Sequence, residues 1–109
     1  MPDVNFQQII DNLKNGVINL ALSSFKQYTN EAKTDALQLL EDMKVSLEKW
    51  TIQLAKGELS KADFEFLVLG QKDLLEMNAL KQAGLALIEA DQFKTNLLNL
   101  ISNTIMGSI

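Results

Sequence analysis

The carboxylates Glu41, Asp42 and Asp73 are the residues of this sequence that come closest to catalytic chemistry. Glu41 and Asp42 are adjacent and flank Met43, while Asp73 stands about one turn before Met77. A hairpin that brought them together would offer an acid–base pair or an all-oxygen metal site. No other residue type strengthens that reading. The 109 residues include no histidine and no cysteine, which removes thiolate catalysis, disulfides, cysteine-bound metal and the Glu-x-x-His pairs of a bundle di-iron centre. Ser60 lacks a histidine base, and Lys56, Glu58 and Lys61 around it read as solvated. Gly70-Gln-Lys-Asp73 has neither the strand context nor the glycine spacing of a phosphate loop. Tyr28 and Trp50 carry hydrogen-bonding handles, but Trp50 falls on an apolar seam and reads as core. The sequence therefore assigns no catalytic residue, no cofactor and no metal ligand, and exposed carboxylates are the ordinary content of such helices.

Charge narrows the partners. All ten basic residues are lysines, fourteen residues are acidic, and the formal net charge is -4. Arginine, the better reader of phosphates and guanine edges, is absent. The lysines are scattered from Lys14 to Lys94 without a concentrated patch, so nucleic acid is not an expected partner. A basic segment, apolar core and small-residue cleavage site do not occur in that order at the N-terminus, and a cytoplasmic location is the expectation. Residues 95–109 carry no charged side chain, yet Asn96, Asn99, Ser102 and Asn103 make them too polar for a spanning helix. A cationic face for lying on lipid is missing as well. Membrane association thus ranks behind a buried terminal helix or a subunit contact.

The elements that would position any site are helical. Ala36, Leu40, Met43, Leu47, Trp50 and Leu54 are separated by alternating steps of four and three, the heptad spacing of a coiled-coil seam, and predict a helix over 31–56. Phe6, Ile10, Leu13, Val17, Leu20 or Ala21, then Phe25 and Tyr28 give a looser stripe over 4–28, which Gly16 interrupts without breaking. Pro2 is the one proline and precedes the fold. Ser23, Ser24, Thr29 and Asn30 offer a break near residue 29; without it, helix would run from 4 to 56 for about 80 Å.

Residues 54–64 carry the sharpest local pattern. Gly57 follows the seam and Lys56, as a C-cap able to take positive φ would. Ser60 and Asp63 have capping-box spacing, and Leu59 with Phe64 have the spacing of a hydrophobic staple. Helix stop, tight corner at 57–60 and helix start is the reading, in preference to a catalytic loop.

Beyond the corner, Phe66, Leu69, Leu74, Met77, Leu80, Leu87 and Ile88 suggest one broad apolar stripe. Gly70, Met77 and Gly84, spaced by seven, would fall on one side of that helix and permit close approach by a neighbour. Asp91 offers a second break, or the helix continues through it.

The expected fold is all-α and spans 1–109 as one helical domain. It is either a long antiparallel hairpin completed by dimerisation or an up-and-down bundle broken near 29 and 91 that closes its own core. A homodimer is the expected state. The favoured function is a non-enzymatic oligomeric scaffold or protein–protein adaptor. An apolar-ligand carrier or membrane-associated protein comes second, and an enzyme using Glu41 or Asp73 third.

Overall fold

The computed structural model describes residues 5–109, and these form an all-α fold. Helix α1 spans Phe6–Ser24; the Asn5 side chain accepts from the Gln8 amide at 3.2 Å and caps its first turn. Ile9, Ile10, Leu13, Val17 and Ala21 line its buried side. The chain turns extended at Phe25 (φ -134, ψ 138), and the Thr29 hydroxyl donates to the Phe25 carbonyl at 2.9 Å. Residues 25–28 therefore separate α1 from α2, which spans Thr29–Ala55, and α1 folds back along it. The longest dimension of the molecule is 46 Å, far short of an unbroken rod.

On α2, Ala36, Leu40, Met43, Leu47 and Leu54 are buried, but Trp50 is only half-buried and Thr51 takes its place in the interior. The heptad seam places Trp50 in the core; the structure corrects this, because a straight helix drifts by about 20° per heptad against a strict seven-residue repeat. At that turn the inward position is residue 51 instead of 50, and the seam resumes at Leu54. The Thr51 hydroxyl is buried without a hydrogen-bond partner among the described residues, as is that of Ser102.

The corner after α2 is a Schellman motif. Gly57 has φ 77, its amide donates to the Leu54 carbonyl at 3.1 Å, and the Glu58 amide donates to that of Gln53 at 2.8 Å. Ser60 then caps α3 (Lys61–Leu69), accepting from the Asp63 amide at 3.0 Å. The reciprocal bond from the Ser60 amide to the Asp63 carboxylate is not formed. Phe64 and Val68 are the buried side chains of α3.

Past Leu69 the single broad stripe expected from the sequence gives way to three elements. A 3-10 turn covers Gly70–Leu74, α4 is the short helix Asn78–Gln82, and α5 runs Leu87–Ser108. Leu75 is extended (φ -110, ψ 143), and Gly84 has φ 97. Gly84 closes α4 with a second Schellman motif: its amide donates to the Lys81 carbonyl, and the Leu85 amide donates to that of Leu80. Gly70, Met77 and Gly84 thus share no helix side; they are respectively the end of α3, the N-cap of α4 and its C-terminal stop. The break expected near Asp91 is also absent, since α5 passes through that residue and begins instead after Ala86.

Helix α5 packs between α1 and α3, while α4 rests on α2. Phe25 and Phe93 meet edge to face with ring centroids 5.0 Å apart, and Leu100 closes on Gly16, where a Cβ would lie 3.2 Å from its Cδ2. Ile10, Leu13, Val17, Leu39, Met43, Leu47, Phe64, Leu80, Leu97 and Ile101 belong to one buried apolar cluster drawn from all five helices. The core closes within one chain. The hairpin that needs a second copy to cover its stripe is therefore not the architecture, because the breaks at 25–28 and 70–86 let α1, α4 and α5 fold back and cover α2.

Candidate interaction surfaces

Asp35 starts the construction of the α4–α5 corner. It lies among Ala32, Ala36 and Leu39 on the inward side of α2 and is 5% exposed. Its Oδ1 accepts from the Ala79 amide at 2.9 Å and its Oδ2 from the Leu80 amide at 2.8 Å. Met77 supplies no side-chain cap to α4, so a carboxylate from another helix does that work, satisfying two otherwise orphaned donors. Lys94 on α5 donates from Nζ to the Leu75 carbonyl at 2.8 Å. Lys72 reaches Asp91 at 3.0 Å, an exposed pair worth little by itself. Leu75, Met77, Leu80 and Leu85 are buried beneath these ties.

What this fixed corner presents is apolar. Leu87 and Ile88, the first two residues of α5, are 70% and 78% exposed. They border a groove of about 390 Å³ with Met77 and Ala90, rimmed by Lys81, Asp91 and Lys94. Lys94 and Asp91 are engaged as described, whereas Lys81 forms no ion pair among the described residues. Phe66 and Leu74 are also mostly exposed, at 77% and 75%. All four belong to the apolar stripe that the sequence pattern suggests; Phe66 lies on the side of α3 opposite Phe64 and Val68, and the breaks after Leu69 leave the other three outward.

A second face lies along α2 opposite its buried seam. Gln38, Glu41, Asp42, Val45, Glu48, Lys49 and Ile52 are all exposed, Val45 most strongly at 83%. Val45 and Ile52, seven residues apart, border one shallow groove with Lys44, Glu48 and Lys49. Lys44 also rims an adjoining groove of about 350 Å³ between α1 and α2, whose apolar walls are Ile10, Ile18, Leu37 and Leu40 and whose other charges are Lys14 and Glu41. Among the described residues, none of these lysines and carboxylates is ion-paired.

The other residues singled out by the sequence have structural places. Ala36, Leu40, Met43, Leu47 and Leu54 are core, while Gly57, Ser60, Asp63 and Phe64 build the corner between α2 and α3. Glu41 and Asp73 are exposed and accept no hydrogen bond among the described residues, and no group of three potential metal-ligating His, Cys, Asp or Glu side chains occurs among those residues either. No described helix is long and apolar enough to cross a membrane. Sequence reasoning missed Asp35, although a carboxylate at 35 between Ala32, Ala36 and Leu39 stands on a helical stripe that must turn inward. It also passed over Val45 and Ile52, whose seven-residue separation opposite the seam was the available signal.

No protein-family model matches this chain, and neither a curated protein nor a solved structure does.

Proposed function

We propose that this protein is a non-enzymatic helical interaction module that docks a protein partner on the α4–α5 corner. The observation that carries the reading is the adjacent pair Leu87 and Ile88, mostly in solvent, on a segment held by the Asp35 and Lys94 bonds. Two large apolar side chains on a pre-ordered corner lose little conformational freedom when covered, which favours their use as binding anchors. Lys81 at the groove rim favours a partner that sets a carboxylate beside its apolar contact.

A photo-crosslinking amino acid at position 88, compared with one at the exposed α5 position 103, tests this in cells. Protein adducts from 88, absent from 103 and lost when Leu87→Glu is added, are the expected result. Equal labelling from both positions, or none from 88, overturns it.

A second reading, carriage of an anionic amphiphile, is favoured by the apolar groove of Ile10, Ile18, Leu37 and Leu40, where Lys14 and Lys44 outnumber Glu41 at the edge. Native mass spectrometry of freshly purified protein distinguishes it through a bound small molecule that Leu37→Glu removes.

A further inference from the structure

We propose that the outer face of α2 pairs with the same face of a second copy, antiparallel, about a two-fold axis close to Val45. This goes beyond the docking corner and uses a different surface. The order of charges along the helix sets the register. In projection at 100° per residue, Val45 faces outward with Gln38 and Ile52 within about 20° of it. Asp42 and Lys49 fall on one flank, and Lys44 and Glu48 on the other. An antiparallel two-fold keeps each flank against its own equivalent, and the pairing residues then have sequence numbers that sum to a constant.

For this stretch the two sums differ by only one. Asp42 with Lys49 of the second copy and Lys44 with Glu48 of the second copy call for two-fold positions half a residue apart, which one axis beside Val45 satisfies. Each flank then carries two opposite-charge pairs, and the two Val45 side chains meet between them. None of the four charged groups is ion-paired among the described residues, so association breaks no existing ion pair, although Asp42 already accepts from the Gln38 side-chain amide at 2.9 Å. Glu41 lies beside the Lys44–Glu48 ladder without a cation of its own and weakens it. From Gln38 to Ile52 the face is about 21 Å long and one helix wide, small against a standard interface. The pairing is therefore reversible, with half-association at roughly 0.1–1 mM, and it leaves the monomer fold intact. Local concentration and salt control a contact this weak and this dependent on charge register.

Sedimentation equilibrium at low ionic strength, with protein raised to about 1 mM, provides the test. Wild-type protein is expected to move reversibly from the 12.2 kDa chain mass towards twice that value. Asp42→Lys and Lys49→Asp each place like charges across the axis, and each alone is expected to associate at least tenfold more weakly. A one-to-one mixture of the two variants restores opposite charges at both positions and is expected to recover association to within about threefold of wild type. Isotope labelling of one variant with native mass spectrometry identifies the mixed pair. Circular dichroism melts that match wild type show that both variants are folded.

A wild-type chain that stays at 12.2 kDa throughout overturns the pairing and leaves the crosslinking result at position 88 unaffected. Wild-type association that the single variants do not weaken, or that the mixture does not recover, places the self-contact elsewhere and also overturns it. A partner crosslinked at 88 with no mixed pair separates failure of this inference from failure of the docking reading.

Discussion

The Asp35 carboxylate accepts the Leu80 amide at 2.8 Å across a separation of 45 residues, tying the first half of α2 to the start of α4. Together with its bond to Ala79, this makes a buried anion the N-terminal cap of a helix that has none of its own. Asp35→Ala leaves two helix-end donors without their acceptor and should lower unfolding free energy by about 3 kcal/mol. Asp35→Asn retains one acceptor but sets an amide N–H₂ against the other donor, and about 2 kcal/mol is expected. Urea denaturation measures both, and hydrogen exchange should show the loss centred on residues 78–85. A cost for Asp35→Ala below about 1 kcal/mol would refute the capping account.

Thr51 and Ser102 bury hydroxyls without partners among the described residues, so replacing them with apolar groups of similar shape removes a desolvated polar atom. Thr51→Val and Ser102→Ala should each leave stability unchanged or raise it by about 1 kcal/mol. Loss of more than about 1 kcal/mol in a thermal melt would mean that the hydroxyl makes a bond in solution.

Gly57 and Gly84 occupy the left-handed region, and a Cβ at either would meet nothing within 4 Å. Substitution there is a pure test of backbone conformation. Alanine should cost about 1–2 kcal/mol at each position, and asparagine less. At the same corner as Gly57, Ser60→Ala removes a formed cap bond and should cost about 1 kcal/mol. Asp63→Ala removes only a charge near the helix N-terminus and should cost about 0.5 kcal/mol. Equal costs at Ser60 and Asp63 in denaturant titrations would show that the reciprocal capping box does form.

Gly16 faces the Leu100 side chain, with an added Cβ 3.2 Å from Cδ2. Gly16→Ala gains about 1 kcal/mol of helix propensity and loses part of it in moving Leu100 by a few tenths of an ångström, so stability should change little. Gly16→Leu cannot be accommodated by that shift and should destabilise by about 1–3 kcal/mol. Comparable melting temperatures for the two variants would show that α1 and α5 do not pack closely at this point.

Local physics is legible in the amino-acid sequence alone. The inward positions Ala36, Leu40, Met43 and Leu47 follow from helical spacing, and the stop at Gly57 and start at Ser60 follow from which donors and acceptors lie within four residues of a helix end. Gly84 carries the same stop signal as Gly57, with Leu85 behind it, but the seven-residue spacing to Gly70 and Met77 competes with it and suggests packing. The lack of histidine and cysteine excludes whole classes of chemistry on composition alone.

Tertiary structure decided which apolar faces are covered. An apolar stripe shows that one side of a helix prefers to leave water; it does not show what stands opposite. Leu80 went inside while Leu87 and Ile88 stayed in solvent because the chain turns at Leu75 and Gly84, and because Asp35 holds α4 at a place that no local pattern specifies. That bond joins residues 45 apart, beyond the reach of helical periodicity, and only the folded chain brings its partners together.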